Sequence, residues 1–183
     1  MTAILSPTEF KKLVAQFAGH DLSRKSILSI RDGAGVIEGL LEGGKYRRVL
    51  EIGTYRGVSS AYISQFCDRV ITIDLVKGKL ERDNQVFNRG KFWRALNIHN
   101  IDLRLVRSNS EKAEVVSKED FDFAFIDGDH SFEGVSVDFD LVKRCGAVLF
   151  HDYLPGNDVA RFVDGLKPAA RQIDMFAFWN AGA

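Results

Sequence analysis

The sequence predicts an α/β domain built on a doubly wound, mostly parallel sheet with helices on both faces. Three observations carry this prediction. Short, continuously apolar runs recur along the chain, stretches of helical periodicity separate them, and acids or glycines stand where the runs end. A strand that is apolar at every position is buried on both faces, which in a parallel sheet means helices above and below it. A chain of 183 residues fits one such domain, and no internal repeat, low-complexity tract or linker divides it. We therefore read residues 1–183 as one unit: N-terminal helices over 1–45, a ligand-binding core over 46–153, and a C-terminal helix and strand over 154–183.

The elements follow in order. Ser6-Pro7-Thr8-Glu9 reads as a helix start, with Ser6 as N-cap, Pro7 in the first helical position and Glu9 closing a capping box. Phe10, Leu13, Val14 and Phe17 then recur at helical spacing, and Gly19 ends the pattern. A second helix is predicted from Gly35 to Leu41, stopped by Gly43-Gly44. Strands are predicted at Arg48–Ile52, Val70–Leu75, Leu103–Val106, Phe121–Ile126 and Ala147–Phe150. Helices are predicted between them at Val58–Phe66, roughly Lys79–Ile98, Glu111–Val116 and Phe132–Val142. Asp158–Leu166 reads as a last helix and Gln172–Trp179 as a late strand, because Ile173, Met175 and Ala177 alternate with their neighbours.

Composition excludes several classes. The 25 basic and 25 acidic residues cancel, so no global field favours nucleic acid or an anionic membrane. No apolar run is long enough to span a bilayer, and MTAILSPTEFKKL lacks the pattern of a secretory signal. A cytoplasmic location is expected. Cys67 and Cys145 lie far apart in apolar stretches and read as buried reduced thiols. His20 and His99 read as surface residues. The basic residues between Lys77 and Arg94, interleaved with Phe87, Phe92 and Trp93, read as a solvated amphipathic face.

Ligands of a doubly wound sheet bind outside the carboxyl ends of its strands. The first strand ends at Glu51-Ile52, and Gly53-Thr54-Tyr55-Arg56-Gly57 turns into the next helix. Gly53 is expected to let the backbone approach a ligand, and Gly57 to let the helix pack on its strand. The G-x-G-x-x-G dinucleotide fingerprint is absent, and Glu51 beside the turn would repel a pyrophosphate yet accept hydrogen bonds from a cationic amine. Asp74 ends the second strand about 20 residues further on, where ribose hydroxyls are held in this architecture. Together these suit a ligand carrying a ribose and an amine but no diphosphate. Ser108 and Asn109 at the third tip offer either an adenine contact or a helix cap. At the fourth and fifth tips, Asp127, Asp129, His130, His151 and Asp152 are expected to converge on one rim. They could hold a divalent ion such as Mg²⁺ or take a proton from an attacking hydroxyl.

S-adenosylmethionine has the chemistry of that ligand, and the residues together resemble a class I S-adenosylmethionine-dependent methyltransferase of Rossmann-like fold. EIGTYRGVSS is similar to the first motif of the catechol and caffeoyl-CoA type of O-methyltransferase. FIDGDHSFEGVSVDFDLV and VLFHDY resemble the class-24 methyltransferases, which include enzymes acting on macrolide and aminocoumarin sugars. The resemblance covers about Arg48 to Tyr153. It implies that Gly53 and Gly57 line the methionine part of the cofactor, with Thr54, Tyr55 and Ser59 beside them. Glu51 would lie near the amino group, Asp74 at the ribose, and Ser108, Asn109 and Asp127 further along the cofactor. It also implies Mg²⁺ or another divalent cation on Asp127, His151 and Asp152, although relatives carry an acid where His151 stands. Asp129 would be the general base, with His130 the second choice. The implied activity is O-methylation of a sugar or phenol-like small molecule, with the span from Val76 to Asn100, rich in Phe, Trp and Arg, or a second copy of the chain as the candidates for covering the substrate. The alternative is a binding or interaction module of the same fold that has lost catalysis. An NAD(P)-dependent oxidoreductase is disfavoured by the missing glycine triplet, and an RNA methyltransferase by the neutral charge.

Overall fold

The computed structural model describes residues 4–18, 24–76 and 89–182, with side-chain surroundings described outside 18 and 24–32. Two helices, α1 (Pro7–Ala18) and α2 (Arg24–Leu41), precede β1 (Arg48–Ile52). Then follow α3 (Val58–Ile63), β2 (Arg69–Leu75), α4 (Arg89–Ala95), β3 (Ile101–Val106), α5 (Asn109–Ser117), β4 (Phe123–Ile126), α6 (Phe132–Val142) and β5 (Ala147–Phe150). The chain closes with α7 (Asp158–Val163), β6 (Arg171–Ile173) and β7 (Phe176–Asn180).

The sheet order is β3-β2-β1-β4-β5-β7-β6. β1 to β5 pair in parallel, and β7 and β6 add an antiparallel edge. Successive strand residues point to opposite faces, and here both faces are covered. Val49, Val70, Phe123, Phe125 and Leu149 pack with Phe10, Val14, Ile37 and Tyr62 on one side. Leu50, Ile71, Ala124, Ile126 and Val148 pack with Val116, Phe139 and Val163 on the other. That two-sided burial is why β4 and β5 read as unbroken apolar runs, whereas the edge strand β3 has Arg104 and Leu105 exposed.

Three segments differ from expectation. α2 starts at Arg24, well before Gly35, and so contains Gly33, which sits against the Phe176 ring that a Cβ at that position would overlap. The helix accepts a poor helix former there to let β7 pack. The late strand is a hairpin, with Ile173 opposite Phe176 and Asp174 (φ 56°) in the left-handed turn. A two-residue turn preserves apparent alternation, and β7 itself is buried on both faces at Phe176 and Ala177. Of the long helix predicted over Lys79–Ile98, α4 covers Arg89–Ala95, and 77–88 lie outside the described residues, as does His20. Phe92 and Trp93 are core residues and Arg89 is buried, so among the described residues of this segment the solvated basic face holds for Lys91 and Arg94. His99 is exposed as expected. No helix among the described residues is long and apolar enough to cross a membrane.

Candidate active site

Strand register sets the geometry of the site. Ile73, Ile52, Ile126 and Phe150 form one row across β2, β1, β4 and β5. The next residue along each strand is Asp74, Gly53, Asp127 or His151, so all four line a single rim, Asp74 as the penultimate residue of β2 and the other three just past the ends of their strands. The order of the strands reverses between β1 and β4, where a doubly wound sheet opens its crevice.

Backbone hydrogen bonds zip this rim shut. Gly53 N–H donates to Ile73 O (2.8 Å) and Asp127 N–H to Ile52 O (2.8 Å). Gly53 has φ 103°, and a Cβ there would overlap the carbonyl oxygen of Asp127. The glycine is therefore needed for the approach of β4 to β1, whereas the sequence suggested room for a ligand. Gly57 (φ 70°) caps α3, and its carbonyl accepts the indole N–H of Trp93 at 2.8 Å. The indole, rather than a strand, is what packs on this glycine: a Cβ at Gly57 would lie 2.5 Å from the ring. Tyr55 (φ 44°) is exposed at the turn.

Under the turn lies a buried polar chain. Thr54 Oγ1 is 2.6 Å from Thr72 Oγ1, and Thr72 donates to Glu51 Oε2 at 2.6 Å. Ser60 donates to the same oxygen. Glu51 Oε1 has no hydrogen-bond partner among the described residues although the side chain is wholly buried. Burial pushes the Glu51 pKa up to about 7, against the lowering effect of the Ser59, Ser60 and Thr72 hydroxyls. Ser59 is buried beside it. Asp74 pairs with Arg89 of α4 at 3.0 Å. Its pKa is raised because burial outweighs the guanidinium.

At the far side of the rim, His151 Nδ1 lies 2.9 Å from Asp127 Oδ1 and 3.3 Å from Asp152 Oδ1. His130 spans the same two acids, with Nε2 3.4 Å from Asp127 and Nδ1 3.1 Å from Asp152. Burial would raise the Asp127 pKa, but hydrogen bonds from His130 and His151 hold it below the ordinary value. The pKa of His130 is raised, chiefly by its hydrogen bond to Asp127. That of His151 is also raised: burial opposes its charge, and Asp127 prevails. Ligand atoms of Asp127, His151 and Asp152 lie within 4.8 Å of one another, an oxygen-rich set with one imidazole that fits a divalent cation.

Asp129 is exposed, and its carboxylate accepts the backbone N–H of Ser131 at 3.0 Å. Ser108 is the N-cap of α5, accepting Glu111 N–H at 3.2 Å, and exposed Asn109 follows in the first helical turn. The sequence reading missed Ser60, Thr72 and Arg89, and also a buried ion pair between Lys112 of α5 and Asp138 of α6. Asp138 Oδ2 lies 3.0 Å from where a Cβ on Gly128 would stand, directly under the Asp127–Asp129 loop, and has no hydrogen-bond partner among the described residues. A lone acid in an amphipathic helix gives no signal; a lysine and an acid in apolar surroundings on two successive helices is the only hint.

A family model described as a methyltransferase domain matches residues 50–153, from β1 through the His151-Asp152 pair and more than half of the chain. The chain belongs to this methyltransferase family. No curated protein sequence matches it. Among solved structures, the methyltransferase is similar to the O-methyltransferase TomG from Streptomyces achromogenes, involved in tomaymycin synthesis and solved in complex with SAM. There the TM-score is 0.63 and the identity 18%, over 96% of this chain and 88% of that one. It is similar to an O-methyltransferase from Bacillus cereus in complex with SAH, with TM-score 0.59 and 17% identity over 94% and 89%. A third similar structure is cofactor-bound Rv0187 from MTB, with TM-score 0.60 and 18% identity over 98% and 99%. These likenesses bear out the class I methyltransferase fold expected from the motifs.

Proposed function

We propose that the protein transfers a methyl group from S-adenosylmethionine to a hydroxyl of a small molecule. The observation that carries this is the single rim holding Gly53 and Asp74 on one side of the crevice and the Asp127–His130–His151–Asp152 cluster on the other. Similarity to structures that hold SAM or SAH supports the choice of cofactor.

Glu51 Oε1, buried and unpartnered among the described residues, suits the cofactor's ammonium group, a cation that would repay its burial. Asp74 suits the ribose diol, and Ser108 and Asn109 the adenine edge. When bound, S-adenosylmethionine supplies a methyl group on a sulfonium that leaves as a neutral thioether. The acceptor oxygen forms its bond to the methyl carbon as the carbon–sulfur bond breaks, and the hydroxyl proton passes to a base. Asp129 is our first choice for that base and His130 our second. The chain's own contribution is to align the oxygen, receive the proton and balance the developing charge. Asp127, His151 and Asp152 would hold a divalent cation such as Mg²⁺, which supplies a Lewis acid for the acceptor oxygen.

Calorimetric titration with S-adenosylmethionine, with and without Mg²⁺, tests this reading. Binding strengthened by the metal is expected. No binding under either condition overturns the reading, and binding indifferent to metal removes the cation from it.

A further inference from the structure

Arg89 and Trp93 lie one helical turn apart on α4, and both reach the glycine turn. Trp93 Nε1 donates to Gly57 O at 2.8 Å, anchoring the helix to the end of the turn. Arg89 Nη1 donates to Tyr55 O at 2.8 Å, and the same nitrogen lies 3.0 Å from Asp74 Oδ2. One guanidinium thus ties the carbonyl of the first strand's turn to the acid at the tip of the second. Its side chain is only 5% exposed and that of Asp74 only 11%.

Neither residue belongs to the motifs of the turn. A buried arginine must be paired, and its planar fork fixes the direction in which it can pair. Here a single nitrogen, Nη1, bridges the Tyr55 carbonyl and Asp74 Oδ2 and so restrains the Asp74 carboxylate. A carboxylate that receives a diol in a defined orientation binds it better than one that must first be ordered.

We infer that Arg89 is a positioning residue for the cofactor: it orients the Asp74 carboxylate for the ribose hydroxyls and ties it to the Tyr55 carbonyl of the turn. The inference rests on the cofactor reading above. Arg89 itself touches the turn and the acid, and acts on the ligand through Asp74.

The test compares the affinity of S-adenosylhomocysteine with that of its 2′-deoxy analogue, by calorimetry, in the wild type, Arg89→Met and Arg89→Lys. The wild type is expected to prefer the hydroxylated ligand by about tenfold, the scale of a well-made hydrogen bond to a charged acceptor. Arg89→Met is expected to lose most of that preference, to about twofold. Arg89→Lys, which keeps the charge but not the fork, is expected to fall between, and it stands in for Arg89→Met if that protein does not fold. A merely structural role would weaken both ligands equally, so an unchanged preference in a folded variant overturns the inference. Equal binding of the two ligands by the wild type overturns it as well, while leaving the cofactor reading intact. No binding of S-adenosylhomocysteine by the wild type removes both.

Discussion

The imidazole of His151 meets the carboxylate of Asp127 at 2.9 Å across the ends of β5 and β4, and His130 approaches the same oxygen at 3.4 Å. Two histidines therefore share one acid at the place where the acceptor would lie. Asp127→Asn keeps the size of the side chain and removes its charge. Methyl transfer is expected to fall by about 100-fold or more, while the affinity for S-adenosylhomocysteine measured without added metal changes less than about threefold. Steady-state rates beside calorimetry separate the two effects. Full activity in the variant would show that the acid is not part of the transfer chemistry.

Glu51 gives a pH dependence of defined sign. Its carboxyl titrates at about 7 in the folded chain against 4.5 for an ordinary glutamate. The native state therefore binds more protons between these values, and the ligand-free protein loses stability as pH rises from 4.5 through 7. The loss amounts to about 3 kcal/mol at most. Urea denaturation across this range should show the slope, and Glu51→Gln should flatten it. Affinity for S-adenosylhomocysteine should move the other way, strengthening as pH rises through 7, because the ammonium group needs the ionised carboxylate.

Lys112 and Asp138 form an ion pair with side chains 4% and 0% exposed. Replacing one partner strands the other charge in the core. Lys112→Met should cost about 3–5 kcal/mol in urea denaturation. The double variant Lys112→Met/Asp138→Leu should recover most of this. A double variant as unstable as the sum of the single changes would mean that the charges themselves are needed.

Two glycines of α2, two residues apart, should respond with opposite signs. Gly33→Ala drives a methyl into the Phe176 ring and should destabilise by about 1–3 kcal/mol. Gly35 has open space around its Cβ position on the exposed face of the same helix. Gly35→Ala should stabilise by about 0.5–1 kcal/mol. Thermal unfolding of the two variants side by side checks the contrast.

The parallel strands and the acids at their tips were legible because each is a local pattern: an apolar run followed by a polar residue. Glu51, Asp74, Asp127 and His151 could be found that way. The groups that complete them could not. Thr72 meets Glu51 only through the register of β2 on β1, and Arg89 meets Asp74 only through the packing of α4. Lys112 and Asp138 find each other across two helices. Gly33 hid half of α2 for the same reason, since the Phe176 ring that justifies it lies more than a hundred residues away along the chain. The hairpin at Asp174 was masked by a turn short enough to keep the alternation of a single strand.

The common row of Ile73, Ile52, Ile126 and Phe150 has a consequence for how such a chain can vary. Adding or deleting one residue inside β1, β2, β4 or β5 would turn the side chains beyond it to the opposite face and remove one member of the rim. The turn after β1 and the loop after β4 are fixed as well, by Arg89 and Trp93 on the first and by the contacts of His130 on the second. Lineages descended from this chain should thus accumulate insertions in the loops that enter the strands from the opposite end of the sheet, while the strand lengths stay fixed.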